Sequence, residues 1–122
     1  MDIGIDKGSR KDVAAALEQV LADSYALYGK THGYHWNVEG PRFSTLHAAF
    51  EEQYREQWAA LDEIAERIRT LGEYAPSGIT MGEKAKIKAD KTVPNAEQML
   101  SNLVESNEIV VNSARAALKV AE

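Results

Sequence analysis

Five residues of this 122-residue chain combine imidazole and carboxylate groups at spacings that suit metal binding: His35, His47, Glu51, Asp62 and Glu66. Imidazole nitrogen and carboxylate oxygen, without sulfur, form a ligand set for Fe(II), Mn(II) or Zn(II). His47 and Glu51 are one helical turn apart on one face of a predicted helix, and so are Asp62 and Glu66. These five residues are therefore candidate metal ligands.

A single metal ion cannot be bound by all of the candidates that follow His47 on its helix, because they are too far apart along the helix axis. Viewed down the axis, Glu51, Asp62 and Glu66 lie within about 100° of His47. Along the axis Glu51 and Asp62 are about 16 Å apart, whereas metal–ligand bonds are roughly 2 Å long. The helix therefore presents two half-sites. A two-fold dimer that pairs this helix antiparallel with its copy would place Asp62 and Glu66 of one chain beside His35, His47 and Glu51 of the other.

Each candidate also has an ordinary structural interpretation. A single histidine on an apolar stripe is usually a core residue with its hydrogen bonds satisfied. Asp62 and Glu66 alone would resemble a solvated helix face, with nearby arginines as partners. A di-iron site within one bundle usually requires Glu-x-x-His motifs. Here the positions three before the three histidines hold Gly, His and Ser, so such a site within one chain is not expected.

The hydrophobic pattern predicts an all-α protein with three long helices and no strand. Their approximate ranges are 9–38, 43–71 and 95–122, and a short helix is expected at about 81–89 within a linker of residues 73–94. Gly40-Pro41 and Gly72 are helix stop signals. We expect a single up-down bundle over residues 1–122, with residues 1–8 as a flexible N-terminal arm.

An up-down bundle normally has four long helices, and this chain supplies three. Two explanations are open: the chain was cut or recorded short after Glu122, or an element of another subunit fills the gap. The first is favoured because the apolar pattern of the last helix continues to the final residue without a stop signal.

The composition narrows the class of protein. The absence of cysteine excludes disulfides, thiolate metal sites and a cysteine nucleophile. A net charge of −5 argues against nucleic-acid binding by bulk charge and suits a protein that attracts cations. No apolar run has the length of a membrane span, and the first residues do not form a signal peptide. The expectation is a cytoplasmic protein without a membrane partner.

Several spaced motifs together resemble one known signature. They are Lys30-Thr31-His32-Gly33-Tyr34-His35-Trp36-Asn37-Val38, Gly40-Pro41-x-Phe43, Leu46-His47, Phe50-Glu51 and Asp62-x-x-Ala65-Glu66-Arg67. This set is similar to the signature of the Dps family, the ferritin-like miniferritins also called DNA-protecting proteins of starved cells. The match covers the first two long helices, and the third fits by its pattern.

The resemblance implies a ferritin-like helix bundle that assembles into a hollow homo-dodecamer with ferroxidase sites at its two-fold interfaces. His35, His47 and Glu51 would come from one subunit, and Asp62 with Glu66 from its partner. Each site would take one or two iron ions, with Zn or Mn as substitutes. The family oxidises Fe(II), with hydrogen peroxide or oxygen, and stores the ferric mineral in its cavity. Such chemistry protects DNA from oxidative damage.

The resemblance also implies supporting roles. His32 lies where relatives carry His or Lys, and would orient or charge the site. Trp36 and Trp58 would flank it, as packing residues or as acceptors of stray oxidising equivalents. The family's fourth long helix, which contributes to three-fold contacts and pores, has no counterpart in this chain.

Direct DNA binding is a separate question. Members that bind DNA use a Lys-rich terminal arm, and the corresponding region here carries Lys7, Arg10 and Lys11 among several aspartates. These residues are candidate DNA contacts, and the binding is expected to be weak. Two alternatives to the ferroxidase therefore stay open. One is a nucleoid-associated structural dodecamer with secondary iron chemistry, and the other is a truncated metal-binding dimer without storage.

Overall fold

A computed structural model describes residues 7–122. These residues form four helices and no strand: α1 (Lys7–Asn37), α2 (Phe43–Thr70), α3 (Gly78–Lys84) and α4 (Ala96–Ala121). The prediction of three long helices with a short one in the linker is confirmed. Lys7 and Gly8, assigned above to the N-terminal arm, lie in α1. The rest of that arm is outside the described residues. None of the described helices is long and apolar enough to span a bilayer.

The first helix is the element on which the others pack, because α1 contacts α2, α3 and α4. One buried apolar cluster joins α1 to α2 and α4 around Phe50, Met99 and Leu103. A second joins α1 to α2 and α3 around Ile68 and Met81. The two helices that carry the candidate metal ligands, α1 and α2, are therefore held together by two separate parts of the core.

Both predicted glycine stops adopt positive φ angles, which only glycine reaches without strain: +106° at Gly40 and +92° at Gly72. At the end of α2, the Gly72 N–H donates to the Arg69 carbonyl (2.9 Å) and the Glu73 N–H donates to the Ile68 carbonyl (3.3 Å). This is the Schellman arrangement, which satisfies carbonyls that the helix leaves without partners. The chain therefore turns sharply after each of the first two long helices.

The short helix begins and ends earlier than the predicted range of 81–89. It occupies Gly78–Lys84, and Ala85 already adopts an extended conformation with ψ of 138°. The cause is a long-range hydrogen bond in which the Lys86 N–H donates to the Asp23 carboxylate (2.6 Å). That bond draws the backbone out of the helix. The predicted start of α4 is confirmed, since the Asn95 side chain caps it by accepting from the Gln98 N–H (2.8 Å).

Asp23 is a fully buried carboxylate that joins three elements. Besides the Lys86 N–H, it accepts hydrogen bonds from the Ser113 hydroxyl of α4 (2.6 Å) and from the Gln19 amide of α1 (3.1 Å). A buried charge is tolerated only when it is hydrogen-bonded in this way. Asp23 therefore fixes the linker and α4 against α1.

One long face of the bundle has no covering helix among the described residues. Val104, Val111 and Leu118 of α4 follow each other at seven-residue spacing and are about half exposed or more. The predicted apolar stripe of α4 is thus only partly buried. Trp58, expected to flank the metal site, is likewise 58% exposed. The three long helices therefore leave an open side.

Tyr34 is the centre of a second polar link between α1, the linker and α4. Its hydroxyl donates to the Asp90 carboxylate (2.5 Å) and accepts from the Asn102 amide (3.0 Å). Lys30 pairs with the other carboxylate oxygen of Asp90 (3.3 Å). Burial, followed by the hydrogen bond to Asp90, raises the pKa of Tyr34 to about 12. The phenol therefore stays protonated and acts as a donor throughout the physiological range.

Replacing this phenol should weaken the fold in a pH-dependent way. Tyr34→Phe is expected to lower the free energy of unfolding by about 1.5–3 kcal/mol at neutral pH, because the Asp90 carboxylate loses a donor. The pKa of Tyr34 is raised in the fold, so its contribution is fully present below about pH 10, the usual tyrosine pKa. It is lost as the pH rises towards about 12.

Denaturant unfolding at neutral and alkaline pH tests this expectation. The difference between wild type and Tyr34→Phe should shrink above about pH 10. Tyr74→Phe is the matched control, since Tyr74 is 84% exposed and its replacement should change little. A difference that stays constant with pH would contradict the assignment.

Candidate metal centre

His35 and His47 meet where α1 ends and α2 begins. The Nδ1 atom of His35 lies 2.7 Å from the backbone carbonyl of His47, and the Nδ1 atom of His47 lies 2.7 Å from the backbone carbonyl of His35. The two rings stack with centroids 3.8 Å apart and an interplanar angle of 17°. The carbonyl of His35 belongs to the last turn of α1, where helical partners are missing, so this bond also caps the helix.

These reciprocal bonds fix the protonation of both rings. A carbonyl oxygen only accepts hydrogen bonds, so each Nδ1 atom must carry the proton and donate it. In a neutral imidazole the other nitrogen, Nε2, then has a free lone pair. Hydrogen bonding of one ring nitrogen to a backbone carbonyl is the arrangement that orients a histidine for metal binding through the other. The arrangement thus leaves Nε2 of both His35 and His47 with a lone pair that could bind a metal.

Glu51 provides the nearest carboxylate. One of its oxygens lies 3.8 Å from Nε2 of His35, and the other lies 3.2 Å from Nε of Arg55. The Glu51 side chain is 41% exposed, whereas that of His35 is only 9% exposed. The carboxylate can therefore turn between the histidine pair and Arg55, and an arriving cation would compete with the guanidinium for it.

The two remaining acids lie elsewhere on the same helix. Asp62 and Glu66 are exposed, farther along α2. Within residues 7–122, no three His, Cys, Asp or Glu side chains converge closely enough to hold a metal ion. The structure therefore brings His35, His47 and Glu51 into one neighbourhood, but it does not bring Asp62 or Glu66 to them. The half-sites predicted from helix geometry remain apart within one chain.

Aromatic side chains pack against the rings of all three histidines. Phe43 stacks on His47 (5.0 Å between centroids), and Tyr54 meets His35 edge-on (5.2 Å, 71°). His32 lies between Trp36 (3.9 Å) and Tyr54 (4.3 Å). Tyr54 is not among the site residues predicted from the sequence, although it contacts two histidines. Its only signal was a position seven residues, two turns, after His47.

The tryptophans and the candidate DNA contacts lie in separate parts of the structure. Trp36 adjoins His32 and is 64% exposed. Trp58 is on the exposed side of α2, and no ring contact is found for it in the described part of the chain. The candidate DNA contacts Lys7, Arg10 and Lys11 lie on the first turns of α1 rather than on an arm. Their spacing puts them on one helical face.

The histidine pair and the distant acids should differ in what they contribute to stability. In metal-free protein, His47→Ala is expected to cost about 1–2 kcal/mol, because it removes the donor to the His35 carbonyl. Asp62→Ala, at an exposed position, should change stability by no more than about 0.5 kcal/mol. Denaturant unfolding after treatment with a chelator measures both. Equal effects of the two substitutions would show that the reciprocal bonds do not stabilise the fold.

Comparison with known proteins identifies the family of this chain. The family model of the ferritin-like domain matches residues 14–122. An uncharacterized low temperature-induced protein of Nostoc sp. is 42% identical over 118 residues, which cover 94% of this chain and 65% of that protein. The DNA protection during starvation protein of Brevibacillus brevis is 36% identical, over 90% of this chain and 74% of the relative. This chain therefore spans somewhat less than two thirds of the cyanobacterial relative.

The solved structures agree in fold over nearly the whole chain. The Dps protein of Vibrio cholerae O1, described as a member of a broad superfamily of ferritin-like diiron-carboxylate proteins, matches with a TM-score of 0.92 and 35% identity. That match covers 98% of this chain and 76% of the Vibrio chain. On the family model, the relatives and the shared fold, the chain belongs to the ferritin-like family and, within it, to the Dps proteins.

Proposed function

We propose that this protein is a ferroxidase and iron-storage miniferritin that oxidises Fe(II) at sites shared between two-fold-related chains. The observation that carries the proposal is the histidine pair. His35 and His47 each donate Nδ1–H to a backbone carbonyl, which leaves both Nε2 lone pairs free beside Glu51. No metal is needed to hold the rings in this orientation, so the site is preorganised for its substrate ion.

The donor atoms suit iron as a substrate. Imidazole nitrogen binds Fe(II) well, and carboxylate oxygen, a harder donor, stabilises the Fe(III) that forms. Oxidation by hydrogen peroxide balances as follows: two Fe(II) ions each give one electron, the O–O bond breaks, and two protons are taken up to yield two water molecules. Glu51, Asp62 and Glu66 favour entry of a cation, and His35 is largely buried.

A second chain is the source proposed for the missing ligands. Asp62 and Glu66 lie on the same face of α2 as Glu51, about 16 Å and about 22 Å farther along its axis, so they do not reach the histidines of their own chain. Trp58, which lies between the half-sites along α2, and Trp36, beside His32, are both more than half exposed. Exposed aromatic residues of this kind are typical of the buried centre of an interface. An antiparallel pairing of α2 helices would cover Trp58 and complete both sites at once.

The relatives support iron chemistry and a protective role. Their names record DNA protection during starvation and membership of a diiron-carboxylate superfamily. We infer for this chain a homo-oligomer, with the dodecamer expected of the family, that works in the cytoplasm. By consuming Fe(II) and peroxide together it would protect DNA without touching it. A direct DNA contact through the α1 face of Lys7, Arg10 and Lys11 is a secondary proposal, since the net charge of −5 opposes it.

Mixing two inactive variants tests the shared site. His47→Ala and Asp62→Ala should each slow ferric formation at least about tenfold, measured by absorbance after peroxide is added to anaerobically loaded Fe(II). When the two variant chains are unfolded together and reassembled, a mixed dimer has one site with both defects and one intact site. Random pairing makes half of the dimers mixed, so about a quarter of all sites should recover.

The controls separate the site from general effects of charge. Glu52→Ala and Glu63→Ala, next to Glu51 and Asp62 but off the ligand stripe, should oxidise iron at the wild-type rate. If the mixture gains no activity, the ligands are not shared between chains. If neither His47→Ala nor Asp62→Ala slows the wild-type reaction, these residues are not the ferroxidase ligands.

A further inference from the structure

A groove of about 590 Å³ lies between α1 and the linker that joins α3 to α4. Its lining includes Gly29 and Gly33 of α1 and Ile87 and Pro94 of the linker. None of these residues is a candidate metal ligand. The volume lies within the range of small-molecule binding sites in proteins, about 300–1,000 Å³. The groove is therefore large enough for a ligand of one or two rings.

Two glycines create the floor of the groove. Gly29 and Gly33 are one turn apart on the same face of α1, and a Cβ atom built on either would meet nothing within 4 Å. Glycine is unfavourable inside a helix, because it loses more conformational freedom on folding than other residues do. Packing does not require it here, since the space above each glycine is open. The two glycines therefore keep a groove open at a cost to the helix.

Hydrogen bonds on both sides hold the opposite wall in place. At one end of the linker segment, the Lys86 N–H donates to buried Asp23 (2.6 Å). At the other end, Asp90 accepts from the Tyr34 hydroxyl (2.5 Å) and pairs with Lys30 (3.3 Å). The segment between these anchors is thereby fixed at a distance from α1. The groove is part of the folded structure rather than a transient gap.

The lining combines apolar residues with charged ones, and its one acid, Asp90, is paired with Lys30. Ile87, Val93 and Pro94 supply the apolar surface, and Lys88 and Lys91 also line the groove. Among the ion pairs of residues 7–122, Lys30 is neutralised by Asp90, whereas none involves Lys88 or Lys91. Two unneutralised ammonium groups beside an apolar surface complement an anion that has an apolar body.

We propose that this groove binds a small aromatic carboxylate. Its ring would lie over the glycine floor against Ile87 and Pro94, and its carboxylate would face Lys88 and Lys91. This inference goes beyond the ferroxidase proposal and does not depend on it, since it uses neither the histidines nor the acids of that site.

Calorimetric titration of the metal-free protein tests this proposal with two matched probes, naphthalene-2-carboxylate and its neutral analogue 2-naphthalenemethanol. The carboxylate should bind with a sub-millimolar dissociation constant, and the alcohol roughly three- to tenfold more weakly, as two exposed charge contacts would give. Equal affinity for both probes would overturn the anionic assignment. Absence of carboxylate binding at millimolar concentration would overturn the site itself.

Gly29→Leu adds a side chain at the floor, where a Cβ atom meets nothing within 4 Å, and removes an unfavourable helical glycine. It should abolish binding of both probes while the unfolding temperature stays the same or rises, so loss of binding would not reflect unfolding. The Lys88→Gln/Lys91→Gln double variant should bind the carboxylate only as weakly as the alcohol. Lys86→Gln, on the same linker but outside the lining, is the matched control and should bind normally. Unchanged binding in Gly29→Leu would show that the probe binds elsewhere.

Discussion

The two reciprocal hydrogen bonds between His35 and His47 set the geometry on which both fold and chemistry depend. Each ring donates to the backbone of the other residue, so α1 and α2 are locked in register at their shared turn. A shift of one residue along either helix would rotate its histidine by about 100° and break both bonds. The same bonds place the ring protons on Nδ1 and leave Nε2 free. One contact thus aligns the central helix with α2 and leaves two ring nitrogens free at the candidate site.

The parts of the structure that could be predicted from sequence depend on local signals. Gly40 and Gly72 were recognised as stops because positive φ angles are a local requirement, and both glycines have them. Asn95 caps α4 through a side chain three residues from its partner. The proximity of His35 and His47 is also local in origin, since only a short turn separates the two helices that carry them. Their role as iron ligands is an interpretation that the spacing, the resemblance and the free Nε2 atoms support together.

The parts that could not be predicted depend on partners distant in sequence. Asp23 is bonded to Ser113, 90 residues away, and to the backbone of Lys86. Nothing in the neighbourhood of Asp23 indicates these partners, so the shift of α3 towards the N-terminus was not foreseen. Trp58 has the spacing of a core residue, yet it is exposed because no described element packs over that face of α2. Periodicity gives the face of a helix, and tertiary packing decides whether that face is covered.

Dividing the proposed site between two chains resolves an electrostatic difficulty. If Glu51, Asp62 and Glu66 gathered at one buried point of a single chain, the metal-free fold would carry the repulsion and desolvation of three carboxylates. Here all three acids are at least partly exposed, and Arg55 offsets the charge of Glu51. The chain can therefore fold without metal. Under the proposed arrangement, iron that bridges two chains binds the assembled state more tightly than the separated one, so metal binding and association strengthen each other. The exposed acids then lose their hydration only when a cation is present to compensate for it.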